Sequence, residues 1–90
     1  MEETELWLRK SERDMLAAEV NFKERLFEES AFFSHQAAEK ALKALYIKKF
    51  KRLWKVHDLR ALAQRLGADN TILKACEELN PCYIETRYPV

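Results

Sequence analysis

The chain has 90 residues, enough for one domain over 1–90 with a core that is marginal at this size. One Gly and two Pro are too few for the many turns of a sandwich or barrel, and 48% apolar with 34% charged residues fits a helical protein. Formal net charge is only +1, yet residues 1–30 hold nine acids against five bases and residues 40–60 hold eight bases against one acid. The basic stretch reads either as a helix end that complements its own dipole followed by a solvated loop, or as a local anion site for phosphate or nucleic acid. No apolar run reaches the length of a membrane span, the start is acidic rather than signal-like, and two cysteines make no staple framework. A reducing cytoplasm is the expected location.

Residues 4 to 24 read as a first helix. Trp7, Ser11, Asp14, Ala18 and Asn21 or Phe22 recur at the three–four spacing of one face. Thr4 is the expected N-cap, and acids crowd the first turn. Asp14 and Asn21 lie on or near the apolar side, where they need partners or border a cavity. A break is expected near 23–25, although no Gly or Pro marks it.

The second helix is expected over 27–50, about 36 Å long at ~1.5 Å per residue. It carries two stripes: Ala31, His35, Ala38, Leu42, Leu45 and Lys49, and then Ala37, Ala41, Ala44 and Ile47 or Lys48. Two stripes imply contacts on two sides, as in the central helix of a bundle. Lys51 to Val56 reads as a basic linker containing Trp54. Asp58 is placed to cap a third helix over 59–66, and Gly67 suits its left-handed end. Asp69 or Asn70 starts a fourth, ending near Asn80 before Pro81. The segment 81–90, "PCYIETRYPV", is short and bounded by proline, and no further helix is expected in it. The fold expected is an all-α, up-and-down four-helix bundle.

Several side chains could carry chemistry. Gln36, Lys40 and Lys43 fall three to four residues apart on one side of the second helix and could hold a phosphate, or a phosphate and a base edge. Glu39 and Lys43 also stand at i and i+4 in the favourable order, so an ordinary helix-surface ion pair accounts for them equally. His35 on an apolar stripe reads as a hydrogen-bonded core residue. His57, beside Asp58 and just after the basic linker, is either part of a capping cluster or a proton carrier near a phosphodiester. Tyr83, Arg87 and Tyr88 suit stacking or docking on a partner. Cys76 and Cys82 lack the tight ligand pairing of structural zinc, so neither a metal nor another cofactor is expected.

The stretches "ERDMLAAE", "HQAAEKALKALYI", "VHDLRALAQRL" and "LNPCYIETRYP" together resemble the HEPN domain family, in order and over nearly the whole chain. The resemblance implies a helical bundle of four or five up-and-down helices that forms a homodimer. It also implies nucleotide or RNA binding and a place beside a minimal nucleotidyltransferase in a toxin–antitoxin-type pair. Gln36, Lys40 and Lys43 would then line the site, with His57 and Arg87 at its rim. Other members are metal-independent ribonucleases that carry an Arg followed four to six residues later by His. Arg87 matches that arginine, but the sequence ends at Val90 with no histidine after it, and the family's last helix is expected to be absent. Enzymatic activity therefore stays open, with His57 and Arg87 as the catalytic candidates. A toxin-type ribonuclease and a plain interaction scaffold are the alternatives to a nucleotide-binding partner.

Overall fold

Helix α1, Glu3–Lys23, begins one residue before the expected cap. Glu2 occupies the cap position without a side-chain hydrogen bond, so Thr4 lies inside the first turn rather than before it. The computed structural model describes residues 2–82. The break after α1 is made without glycine. Arg25 takes a left-handed backbone (φ 62°), the Leu26 N–H donates to the Asn21 carbonyl at 2.8 Å, and the Arg25 N–H donates to the Phe22 carbonyl at 3.0 Å. These two bonds reverse the chain as a Schellman motif does, with Arg25 at the position glycine usually fills. That is why composition gave the turn no visible marker.

Helix α2, Phe27–Phe50, returns antiparallel along α1. Its end is fixed by Lys51, also left-handed (φ 60°), whose N–H donates to the Ile47 carbonyl at 2.8 Å. Small residues let the two helices approach closely: Ala18, Ala37 and Ala44 are all buried. Close approach brings hydroxyls within reach of the opposing backbone. Ser11 Oγ donates to the Ala37 carbonyl and Ser30 Oγ to the Ala18 carbonyl, both at 2.8 Å. The polar residues of α1's inner face are likewise satisfied: Asp14 pairs with Lys40, and Asn21 Nδ2 donates to the Ala17 carbonyl at 2.7 Å.

Helix α3, Leu59–Arg65, is capped by Asp58, which accepts from the Ala61 N–H at 3.1 Å. Gly67 follows it with φ 79°. Helix α4, Asn70–Leu79, is capped by Asp69, which accepts from the Ile72 N–H at 3.0 Å. Leu59, Ala63 and Cys76 form the apolar core of this half, with Ala38 and Leu42 of α2 and Leu73 and Leu79 of α4 packed on it.

Among the described residues the result is an all-α bundle of four helices, α1 to α4, with no strand; Pro81 and Cys82, in the segment where no further helix is expected, are helical, and the rest of that segment lies outside the described residues. The bundle's layout is an α1–α2 hairpin with the α3–α4 hairpin packed on α2. α1 packs on α2 alone, while α3 and α4 pack on each other and on the other side of α2. The two-stripe reading of α2 is thus realised, with one correction. Leu45 and Lys49, assigned to the inward stripe, are exposed, because the α3–α4 pair covers α2 around Ala38 and Leu42 and stops short of them. Leu16, Val20, Phe22 and Phe27 also stay exposed along the α1–α2 hairpin. No helix among the described residues is long and apolar enough to cross a membrane.

Candidate functional site

The residues that drew attention on α2 converge on one carboxylate. Glu39 is 4% exposed and Lys43 5%. Lys43 Nζ donates to Glu39 Oε2 at 2.8 Å, and its ammonium also sits 5.6 Å from the centroid of the Trp7 ring on α1. The other oxygen, Oε1, lies 3.0 Å from His57 Nδ1 and 3.9 Å from His35 Nδ1. One buried carboxylate thereby joins α2 to the segment that leads into α3, and its lysine joins α2 to α1.

The Glu39 carboxylate and the Lys43 ammonium are buried as a hydrogen-bonded pair. Taking an isolated ion out of water is very costly, and a hydrogen-bonded partner of opposite sign offsets most of that cost. His35 is fully buried as well. Desolvation holds its pKa below the ordinary histidine value, opposed by Glu39 and by a hydrogen bond to the His57 backbone. It is the hydrogen-bonded core histidine expected from its stripe.

His57 itself is held from both sides. Its side chain is 59% exposed yet fastened to Glu39. The next residues are clamped to the end of α4 by Asn80, whose Oδ1 accepts from the Leu59 N–H and whose Nδ2 donates to Asp58 Oδ1, both at 2.8 Å. These bonds keep the Asp58 carboxyl below the usual range, the Asn80 bond first and the Ala61 N–H second. Capping cluster and imidazole therefore form one connected unit.

Of the five expected binding residues, Lys40 and Lys43 do not project into solvent from an open donor face. Each is engaged by a carboxylate, Asp14 and Glu39 respectively, in the region where α1 meets α2. Gln36 is partly buried on the same helix. His57 is at the surface beside them, and Arg87 lies outside the described residues, as do Tyr83 and Tyr88. Sequence spacing identified Glu39–Lys43 as a pair but not its burial, which depends on Trp7 and α1 closing over it. Asn80 and the hub role of Glu39 carried no sequence signal. Among the described residues no cluster of three His, Cys, Asp or Glu could hold a metal ion.

A second group of cations behaves differently. Lys48, Lys51, Arg52 and Lys55 are exposed, and among the described residues none of them makes an ion pair. They lie at the end of α2 and in the linker. Trp54 between them rests against the Tyr46 ring (centroids 5.6 Å apart) and under the Arg65 guanidinium (5.3 Å). Lys48 and Lys51 share a groove with Glu2, Glu3 and Glu5.

The sequence matches the family model of the HEPN domain over residues 4–90, so the chain belongs to the HEPN domain family. No curated protein and no solved structure matches it.

Two outcomes follow from the buried cluster. Lys43→Met leaves Glu39 charged without its main partner and costs about 3 kcal/mol of stability, while Glu39→Leu/Lys43→Met regains most of it. Urea unfolding of the three proteins measures this, and a Lys43→Met protein as stable as the parent contradicts it. For His35 the folded state binds its proton less readily than the unfolded chain. Its contribution is thus complete above the ordinary histidine pKa of about 6.5 and declines as pH falls below it. Stability should drop between pH 7 and pH 5, and His35→Gln should flatten that drop; parallel pH profiles for the two proteins would count against it.

Proposed function

We propose that this chain is a homodimeric HEPN module that holds nucleotide or RNA through its phosphates and acts as the partner of a minimal nucleotidyltransferase in a toxin–antitoxin-type pair. The observation that carries the binding part is the division of the cations. Those in the middle of α2 are matched by internal carboxylates, whereas Lys48, Lys51, Arg52 and Lys55 are exposed and unmatched among the described residues. Unmatched cations on one short stretch attract a phosphate group by Coulomb forces that internal pairs cannot supply. Family membership supports the choice of nucleotide or RNA as the phosphate carrier.

The part of the site at the rim is His57, two residues beyond Lys55. Lys40 and Lys43 serve this site by fixing the frame, since a ligand would have to displace Asp14 or Glu39 to reach them. Arg87 belongs to the proposal through the family resemblance alone. The dimer is supported by the exposed Leu16, Val20, Phe22 and Phe27, which a second copy would cover, since large exposed apolar patches mark interaction surfaces.

A second reading, a metal-independent ribonuclease, is favoured by one observation. The His57 imidazole is oriented by a buried carboxylate through Nδ1 while most of its side chain remains exposed. A base oriented by a third group is the arrangement used for proton transfer.

One experiment separates these readings. Calorimetry with ATP, GTP and a short RNA should show binding, and Arg52→Ala/Lys55→Ala should weaken it about tenfold without loss of fold. Absence of heat with all three ligands, or unchanged binding in the double variant, overturns the first reading. RNA recovered from the same samples should be intact; cleavage that disappears in His57→Gln establishes the second reading instead.

A further inference from the structure

We infer that one flank of α1 is a docking surface for an amphipathic helix of another protein, one that carries apolar side chains interleaved with lysine or arginine. Glu5, Leu8, Glu12, Met15, Glu19 and Phe22 follow one another at alternating spacings of three and four residues. In a helix that spacing sets them in a single row, about 26 Å long at ~1.5 Å per residue. All six are exposed, Leu8 at 40%, Met15 at 46% and Phe22 at 62%. The inference is independent of phosphate binding, because no residue of the row belongs to the cationic stretch.

The row has the form of a coiled-coil seam in which every second contact position is a carboxylate. Recesses lie between it and α2. One, beside Leu8, reaches Ile47 and Lys48. The other, beside Met15 and Phe22, is bounded by Ala18, Ser30 and Ser34, whose small side chains leave space above them. Apolar side chains of a partner helix can enter these recesses, as helices do in the grooves that bind them. An exposed apolar patch rimmed by polar residues marks an interaction surface.

The glutamates decide what the partner is. A second copy laid on this row in parallel sets each glutamate against itself. An antiparallel copy sets each glutamate against an apolar residue or another glutamate. Like charges in contact oppose the one arrangement, and a carboxylate buried on an apolar side chain opposes the other. An anionic membrane surface is repelled by the same three charges. Lys23 and Lys48 stand at the two ends of the row and leave its middle, around Glu12, acidic. A helix with lysine or arginine at alternate seam positions answers the carboxylates while its apolar residues meet Leu8, Met15 and Phe22. Leu16 and Val20, assigned above to the second copy, each follow a residue of the row and so lie about 100° further round α1. The two surfaces are distinct flanks that meet at Phe22.

The test uses the intact chain and three labelled peptides of about 21 residues, long enough to cover the row, in fluorescence anisotropy at physiological salt. The first carries leucine and lysine alternating at the three–four spacing. The second has glutamate in place of each lysine, and the third has the first one's composition with its leucines shuffled off the seam. The first should bind at least about tenfold more tightly than the other two. Met15→Lys should weaken it by about tenfold or more. Glu12→Lys/Glu19→Lys, at exposed positions where the fold tolerates lysine, should reverse the preference between the first and second peptides. Light scattering of Met15→Lys should give the parent's mass, and phosphatidylserine vesicles should retain no protein. Failure of the first peptide to bind, equal binding of the shuffled peptide, or a preference unchanged by the charge reversal overturns the inference. A Met15→Lys protein of lower mass than the parent makes a second copy the occupant, which overturns the inference and leaves the homodimer standing. Retention on the vesicles overturns it in favour of a lipid surface.

Discussion

A carboxylate placed at the centre of a small helical protein must be answered by positive charge, and at Glu39 that requirement organises the molecule. Its near-complete burial makes the Lys43 ammonium obligatory on one oxygen. The same ammonium lies 5.6 Å from the centroid of the Trp7 ring of α1. The second oxygen engages His57 and so fixes the segment where α3 begins. Three parts of the chain are thereby tied through one group. The link matters because α1 touches neither α3 nor α4 as a packed helix pair, so α2 alone must transmit position from one hairpin to the other.

The same constraint sorts the basic residues by task. Eight bases between residues 40 and 60 look alike in a linear count. Folded, Lys40 and Lys43 neutralise Asp14 and Glu39, and Arg60 pairs with Glu77. Of those eight, the five without an ion pair among the described residues, Lys48, Lys49, Lys51, Arg52 and Lys55, run from the last turn of α2 through the linker. A charge pattern that reads linearly as one basic stretch is therefore two populations, one that builds the frame and one that faces outward. The outward population supports the proposed phosphate-binding role, and the frame explains why His57 has a defined orientation beside it.

Much of the fold was legible because local rules and tertiary packing agree. The periodicity of Trp7, Ser11, Asp14 and Ala18 marked the inner face of α1, and Asp58, Gly67 and Asp69 punctuated α3 and α4 as capping chemistry requires. The turn after α1 was legible only as a change of phase, since Arg25 occupies a left-handed position normally signalled by glycine. The site was less legible for a physical reason. Gln36, Lys40 and Lys43 share a face in any helix, but whether that face meets water or another helix depends on what lies opposite. Here Trp7 and Asp14 lie opposite, and both are themselves ambiguous in sequence. Asn80 was invisible as a clamp because its partners, Asp58 and Leu59, are more than twenty residues away.

The central claim is that Lys43 is an internal counterion, unlike the outward lysines of the linker. Nuclear magnetic resonance of the lysine side-chain ammonium groups addresses it directly. A buried, hydrogen-bonded ammonium exchanges its protons with water far more slowly than an exposed one. The Lys43 signal should therefore persist where those of Lys48, Lys51 and Lys55 have vanished, and should stay in place when tripolyphosphate is added. A Lys43 signal that exchanges as fast as the others, or that moves on addition of the anion, would contradict the account.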